Sequence, residues 1–376
     1  MPKKSPLVAI IDGSVDVTGA FNAIRRQAAL LRDEARFILF LPDSNTISAA
    51  DLLEFEHVER IRLPVIHRSI CGIARYPLAT LVAALKLARR LREIGCERLQ
   101  VNDFYLLPAM ATRLFGFRGR IITWVRINPR RFGLAGKLWL RAAATASDEI
   151  VSVSRYIGQC LPPALATRLI YEPASSSSSG HSNDRMPQSM LFVGNYIHGK
   201  GQEEAIAAFH RVAERFEAAS LQFYGGDMGL DKNRAYLADL QRQATHGPGA
   251  GRIHFGEFLA DPAQARAKAG IALNFSHSES FSLTCQEASS SALPVIATRC
   301  GGPEEIVHDG VTGLLVPVGN IPAMAEAMAK LLGDPKLAEA MGEAGRQLVT
   351  ERFSPTTIRK SLVEVLRLGS AAHRLE

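Results

Sequence analysis

Short apolar runs alternate with amphipathic stretches along the whole chain, and the alternation starts twice. "LVAIID" (7–12), "RFILFLP" (36–42), "HVERIRLP", "RLQVND" (98–103), "RIITWVR" (120–126) and "EIVSVS" (149–154) read as strands, each followed by a loop or a helical pattern. Continuous runs of Val, Ile, Leu and Phe belong to strands buried on both faces, and strands alternating with helices imply parallel sheets with right-handed crossovers. "YEPASSSSSGHSNDRMPQ" (171–188) interrupts the pattern with linker composition, although a long surface loop inside one domain has the same signature. The pattern then resumes through "SMLFVGN" (189–195), "SLQFYGG" (220–226), "RIHFGEF" (252–258), "GIALNFS" (270–276) and "LPVIAT" (293–298). Helical periodicity fills 201–216, 321–334 and 335–353, and a last helix begins near Ser354.

The predicted fold class is therefore α/β, with two Rossmann-like, doubly wound domains. Expected boundaries are 1–172 for the first domain, 173–188 for a linker, 189–353 for the second domain and 354–376 for a C-terminal helix that crosses back to the first. Ligands of open α/β sheets sit beyond the carboxyl ends of the strands, so the expected site lies in a cleft between the halves.

Bulk properties exclude several classes. At 376 residues, 47% apolar and 22% charged, the chain has the composition of a globular protein with room for two cores. Its five cysteines are scattered without metal-ligand spacing, which points to reduced thiols and no structural zinc. No apolar run is long enough to span a bilayer, and the N-terminus reads as a first strand and not as a signal peptide.

Charge is uneven. Residues 1–172 hold 25 Lys/Arg against 15 Asp/Glu, whereas the remainder carries a small acidic excess within the overall +7. "LVAALKLARRLREI" (81–94) and "RRFGLAGKLWLRAAA" (130–144) place apolar residues at helical spacing beside arginines. They read either as ordinary helices packed on a sheet or as contacts for an anionic membrane surface or acceptor. The spread of basic residues and the lack of a recognised motif argue against nucleic acid.

The stretch "NFSHSESFSLTCQEASSSALPVIAT" places Glu279 and Glu287 around the start of a helix, with Ser282 as its N-cap. The first amides of that helix, near Leu283, Thr284 and Cys285, are expected to lack intrahelical partners and sit at the positive end of the dipole, which suits a phosphate. Acids beside a phosphate repel it, so their natural partners are neutral polyols such as a sugar or a ribose.

"ESFSLTCQEASSSALPVIATRCGGPEEIVHDGVTGLLVPVGN", together with the Lys200-Gly201 step in "LFVGNYIHGKGQEEAIAAF", resembles the donor-binding region of retaining GT-B glycosyltransferases with the Glu-x7-Glu motif (glycosyl transferases group 1, family 4). The resemblance is firm over 189–353 and loose over 1–172. It implies a nucleotide-sugar donor, a saccharide or lipid-linked acceptor, a role in cell-surface polysaccharide or glycolipid synthesis, and no metal cofactor. By that resemblance Glu287 binds ribose hydroxyls, Glu279 holds hydroxyls of the transferred sugar, and the amides of Phe281, Ser282 and Leu283 meet the sugar and distal phosphate. Lys200 offsets charge on the departing diphosphate. The leaving diphosphate itself takes the acceptor proton, which explains the lack of an evident general base.

Three departures from the family pattern stand out. Asn195 replaces an arginine, for which Lys200 suffices or Arg299 substitutes. Ser280 and Ser282 replace glycines, which stiffens the loop and brings polar side chains into the pocket. Arg126, with Asn128 nearby, replaces a histidine that faces the reacting sugar.

In the first domain Gly19 either lets the donor approach the backbone or permits a tight turn. Asp103 either receives and orients the acceptor hydroxyl or caps a helix. His277 either touches the donor or is structural. The expected location is the cytoplasm, with peripheral contact to the inner face of the membrane. The alternatives are a nucleotide-sugar-binding protein without transfer and a GT-B epimerase or phosphorylase. A nicotinamide dehydrogenase is disfavoured because no strand is followed by G-x-G-x-x-G and a distal acid.

Overall fold

The computed structural model describes residues 5–64, 70–174, 185–259 and 261–368, with the backbone alone at 70–73. They form two compact units, one from Met1–Pro173 with Pro355–Glu376 and the other from Ala174–Ser354. Most of the expected linker and the last residues of the expected C-terminal helix lie outside the described residues.

The first unit runs β1 (Leu7–Ile11), α1 (Gly19–Leu30), β2 (Arg36–Pro42), β3 (His57–Ile61), α2 (Ile70–Glu93), β4 (Arg98–Val101), α3 (Leu107–Ala111), β5 (Arg120–Val125), α4 (Gly133–Ala146), β6 (Glu149–Ser152), α5 (Arg155–Cys160) and β7 (Arg168–Leu169). Its sheet has the order β3-β2-β1-β4-β5-β6-β7, with every neighbouring pair parallel. Strands such as Val8–Ile11 and Phe37–Leu41 are buried on both faces, which is why they read as unbroken apolar runs. The order reverses between β1 and β4, so Asp12 and Asn102, just past those strands, sit at the topological switch point.

The second unit repeats the plan through β8 (Ser189–Val193), α6 (Gln202–Ala213), β9 (Ser220–Tyr224), α7 (Asp231–Ala244), β10 (Ile253–Gly256), α8 (Ala263–Lys268), β11 (Ile271–Asn274), α9 (Leu283–Ser290), β12 (Val295–Thr298), β13 (Gly313–Val316), α10 (Ile321–Gly333) and α11 (Pro335–Arg352). The order β10-β9-β8-β11-β12-β13 puts its switch point between β8 and β11. Ala205, Ile206, Phe209 and Val212 recur at helical spacing on α6 and share the core with Met324, Met328 and Leu331 of α10.

The chain then returns to the first unit as α12 (Pro355–Leu366). Guanidinium groups bind the carbonyls at the end of this helix: Arg98 donates to Leu366 O at 2.9 Å and Arg367 O at 3.1 Å, and Arg120 donates to Val365 O at 3.1 Å. Cations there also meet the negative end of the helix dipole.

Cys96, Cys160, Cys285 and Cys300 are free and buried. Among the described residues, no helix is long and apolar enough to cross a membrane, and no group of His, Cys, Asp and Glu has the arrangement of a metal site.

Candidate functional site

In the second unit, Lys200 and Glu279 lie 79 residues apart in sequence and meet as an ion pair, Nζ to Oε1 2.7 Å. Two glycines in left-handed conformation hold the lysine, Gly199 and Gly201, both at φ 87°. A Cβ on Gly201 would stand 2.1 Å from Phe275 O, so the loop lies directly on the carboxyl end of β11 and only glycine fits there. Glu279 also accepts from Ser276 Oγ at 2.8 Å. Its backbone is clamped to the Gly301-Gly302 turn, with Gly302 N donating to Glu279 O at 2.8 Å. A Cβ on Gly302 would come within 2.4 Å of the Phe281 backbone, which explains the paired glycines. The charge of Glu279 raises the Lys200 pKa above the ordinary lysine value, so the amine is an ammonium throughout the neutral range.

The helix that begins after this pair is α9. Ser282 is its N-cap and accepts from Cys285 N at 3.3 Å. Ser282 adopts φ 79°, a region that disfavours a side chain. Its hydroxyl does not enter a pocket as expected. It is buried, accepts from Asn274 Nδ2 at 3.0 Å and lies 3.2 Å from Thr284 Oγ1. Asn274 Nδ2 also donates to Thr284 Oγ1 at 2.9 Å. The carboxyl end of β11 is thus tied to the first turn of α9. Leu283 opens the helix, and the Phe281 ring is buried edge-on against Phe353 at 5.3 Å.

Glu287 accepts from Arg266 of α8 at 2.8 Å, with side-chain exposures of 13% and 5%. The sequence reading missed this arginine because α8 is short and follows Pro262. Asn195 Oδ1 accepts from Gly226 N at 3.2 Å, and Asn195 O accepts from Gln202 at 2.9 Å, so this residue joins the ends of β8 and β9. Arg299, the other cation considered for the place of the missing arginine, is about half exposed. Its guanidinium pairs with Asp309 at 2.6 Å. His277 pairs through Nε2 with Glu204 of α6 at 2.5 Å.

The family profile of glycosyl transferases group 1 matches residues 177–348, which covers nearly all of the second unit. The chain has the GT-B fold, and its second unit is related to that family. A GDP-mannose-dependent alpha-(1-6)-phosphatidylinositol monomannoside mannosyltransferase of Mycobacterium tuberculosis is 29% identical over 310 residues, 80% of this chain and 75% of the relative. An uncharacterized glycosyltransferase of Methanocaldococcus jannaschii is 29% identical over 221 residues, and the chain spans 60% of that relative's length. The crystal structure of HepE from Anabaena with UDP and glucose has the same fold, with a TM-score of 0.81 at 20% identity over 96% of this chain and 99% of HepE.

In the first unit, the polar residues at the switch point form a buried network. Arg126 donates through Nε to Asn102 Oδ1 at 2.5 Å and through Nη1 to Glu172. Asn102 Nδ2 donates to Asp12 Oδ1 at 2.8 Å. Gln27 donates to Glu172 at 3.1 Å and accepts from Gln100 at 2.9 Å. Arg126, expected to face a reacting sugar, is instead turned into this network because Glu172 supplies the opposite charge. Asp103 does not cap a helix. The N-cap of α3 is Leu106, and Asp103 Oδ1 accepts from the amides of Phe104 at 2.9 Å and Arg126 at 3.3 Å. Burial raises the Asp103 pKa to about 8.

Gly19 opens α1, which is capped by Thr18. It has no left-handed φ, and an added Cβ would meet nothing within 4 Å. The fold does not need a glycine there, so the tight-turn reading fails.

The strained N-cap gives a stability prediction. Ser282→Gly removes an unfavourable left-handed side chain but loses the cap, two effects of about 1 kcal/mol each and opposite sign. Ser282→Ala keeps the strain and loses the hydrogen bonds. Urea denaturation is therefore expected to leave the Gly variant within about 1 kcal/mol of wild type and the Ala variant clearly below it. Equal stability of the two variants would show that the left-handed strain contributes nothing here, and an Ala variant as stable as wild type would show the same of the cap.

Proposed function

We propose that the chain is a retaining glycosyltransferase that moves a sugar from a nucleoside-diphosphate sugar to a hydroxyl of a saccharide or lipid-linked acceptor. The process is cell-surface polysaccharide or glycolipid synthesis on the cytoplasmic side of a membrane, without a metal. The observation that carries this reading is the Lys200–Glu279 pair at 2.7 Å beside the start of α9. In this reading the second unit binds the donor and the first binds the acceptor.

The first amides of α9 and the ammonium of Lys200 meet the diphosphate, and Glu279 and Glu287 accept from hydroxyls of the sugar and ribose. The sugar–phosphate bond breaks as the acceptor oxygen bonds to the same carbon from the same face. The acceptor proton passes to the departing phosphate oxygen. Negative charge grows on that oxygen, and a fixed ammonium and helix terminus stabilise it more in the transition state than in the ground state. Asp103 and Arg126 are buried, so their part is to position the strand ends that receive the acceptor. Gly19 leaves open the space at the start of α1 that a ligand would use.

HepE was crystallised with UDP, whereas the mycobacterial relative is GDP-mannose-dependent. A thermal-shift panel of UDP-, GDP-, ADP- and dTDP-sugars on wild type and Glu287→Gln decides between them. A ligand at a hundred times its Kd adds about 2.7 kcal/mol. One nucleotide is expected to stabilise wild type, and the variant is expected to lose most of that shift. Wild type unmoved by all four would remove the donor-site assignment. Glutamine is preferred to alanine because Arg266 keeps a hydrogen-bonding partner.

Asn195 in the place of an arginine, with Arg299 bound to Asp309, favours one alternative: donor binding without transfer. A nucleotide-dependent shift without any glycosyl transfer or donor hydrolysis would establish it.

A further inference from the structure

Two helices of the first unit bury one apolar face and expose another. On α2, Ala84, Leu87, Ala88 and Leu91 are buried, while Leu78, Leu81, Val82 and Leu85 on the adjoining face are exposed. Leu78, Leu81, Val82 and Leu85 follow i, i+3, i+4, i+7 spacing and form one stripe. On α4, Gly136, Leu140 and Ala143 are buried, whereas Leu134 is 77% exposed and Leu138 67%. The half-buried Trp139 ring lies 5.4 Å from that of Phe132, which is itself exposed. Helix α3 packs against both α2 and α4, and exposed Leu114 follows it.

The charge on these two segments is predominantly positive. Helix α2 contains Arg75, Lys86, Arg89, Arg90 and Arg92 against one acid, Glu93 at its end, which pairs with Arg89 and Arg90, and residues 129–147 contain Arg130, Arg131, Lys137 and Arg141 and no acid. A helix that only covered a sheet would turn polar residues outward. Exposed leucines beside long cationic side chains and interfacial aromatics match a surface that inserts apolar groups shallowly among lipid tails while the cations meet headgroups.

We propose that the outer faces of α2 and α4 dock this chain on an anionic lipid bilayer. The inference deepens the glycosyltransferase reading and rests on it for its purpose, because it brings the acceptor unit to a lipid-linked hydroxyl. Charge complementarity selects the bilayer over a protein partner: the two helices offer leucines and a large excess of cations, with Glu93 as the one carboxylate among them.

The test is co-sedimentation of the full chain with vesicles of phosphatidylcholine alone and of phosphatidylcholine mixed with phosphatidylglycerol, at low and high salt. Binding is expected to the mixed vesicles, to weaken with salt, and to be slight on phosphatidylcholine alone. Leu134→Ser with Leu138→Ser, and Leu81→Ser with Leu85→Ser, are each expected to weaken binding roughly tenfold or more. Lys137→Glu with Arg141→Glu should do the same. All six positions are exposed, so Tm should stay at the wild-type value.

Equal binding to both vesicle types, no binding at low salt, or leucine variants that bind like wild type would each overturn the proposal. So would a dimer in sedimentation velocity that the leucine variants dissolve, since a second copy would then cover the face. Nucleotide thermal shift on the same samples separates the two readings. A donor shift without vesicle binding removes the docking surface and leaves the glycosyltransferase reading intact, and vesicle binding without any donor shift does the reverse.

Discussion

Replacing Lys200 by alanine is expected to lower the transfer rate about 10²–10³-fold, the range found when one preorganised donor to a developing anion is removed. Structure and function should separate cleanly in this variant. The pair is partly exposed, 35% for Lys200 and 17% for Glu279, so its net contribution to stability is about 1 kcal/mol or less. Ser276 continues to serve Glu279 after the substitution. The rate should therefore collapse while Tm moves by only a few degrees, roughly what 1 kcal/mol produces in a domain of this size.

The pH dependence follows from the sign of the lysine shift. A cation whose folded pKa is raised contributes stability that is complete below the ordinary lysine value and lost as pH rises past the folded one. Lys200 consequently leaves no inflection in rate or stability between about pH 6 and 9. Arginine should restore the rate only in part, because its planar fork cannot copy a point charge held between two glycines. Transfer by Lys200→Ala within about threefold of wild type, well short of the loss expected for such a donor, would mean that the diphosphate charge is met elsewhere.

Sequence showed the frame of the fold because parallel strands buried on both faces are unbroken apolar runs. Helix α7 escaped notice because Tyr236, Leu240 and Ala244 give it a narrow apolar stripe in an otherwise polar segment. Strand β7 is only two residues long. The Lys200 and Glu279 positions could be singled out by family resemblance, but their contact depends on the sheet order that brings the β8–α6 loop beside the end of β11. Arg266 and the first-unit network were illegible for a different reason. Gln100 lies in the middle of a strand and Gln27 on a helix, where polarity normally signals solvent. In this fold both face inward toward Glu172, and no local pattern encodes that.

Glu172→Ala should be the most destabilising substitution in that network, costing the first unit about 3–5 kcal/mol. Arg126 and Glu172 have side-chain exposures of 6% and 3%. The ion pair itself need not stabilise the fold, because desolvation of two charges offsets their attraction. Removal of one partner is different. It leaves the Arg126 guanidinium buried without this carboxylate, when its Nη2 already has no hydrogen-bond partner. Gln27 also loses an acceptor, which loosens its link to Gln100. Glu172→Gln keeps an acceptor and removes only charge, so it should fall between wild type and alanine. Exchanging both partners for apolar residues, Arg126→Met with Glu172→Leu, should recover most of the loss. Both tryptophans, Trp124 and Trp139, lie in the first unit, so indole fluorescence during urea unfolding reports that unit specifically. A change in its midpoint worth less than about 1 kcal/mol in Glu172→Ala, the size of an ordinary surface effect, would show that water reaches Arg126 and that the network is not closed.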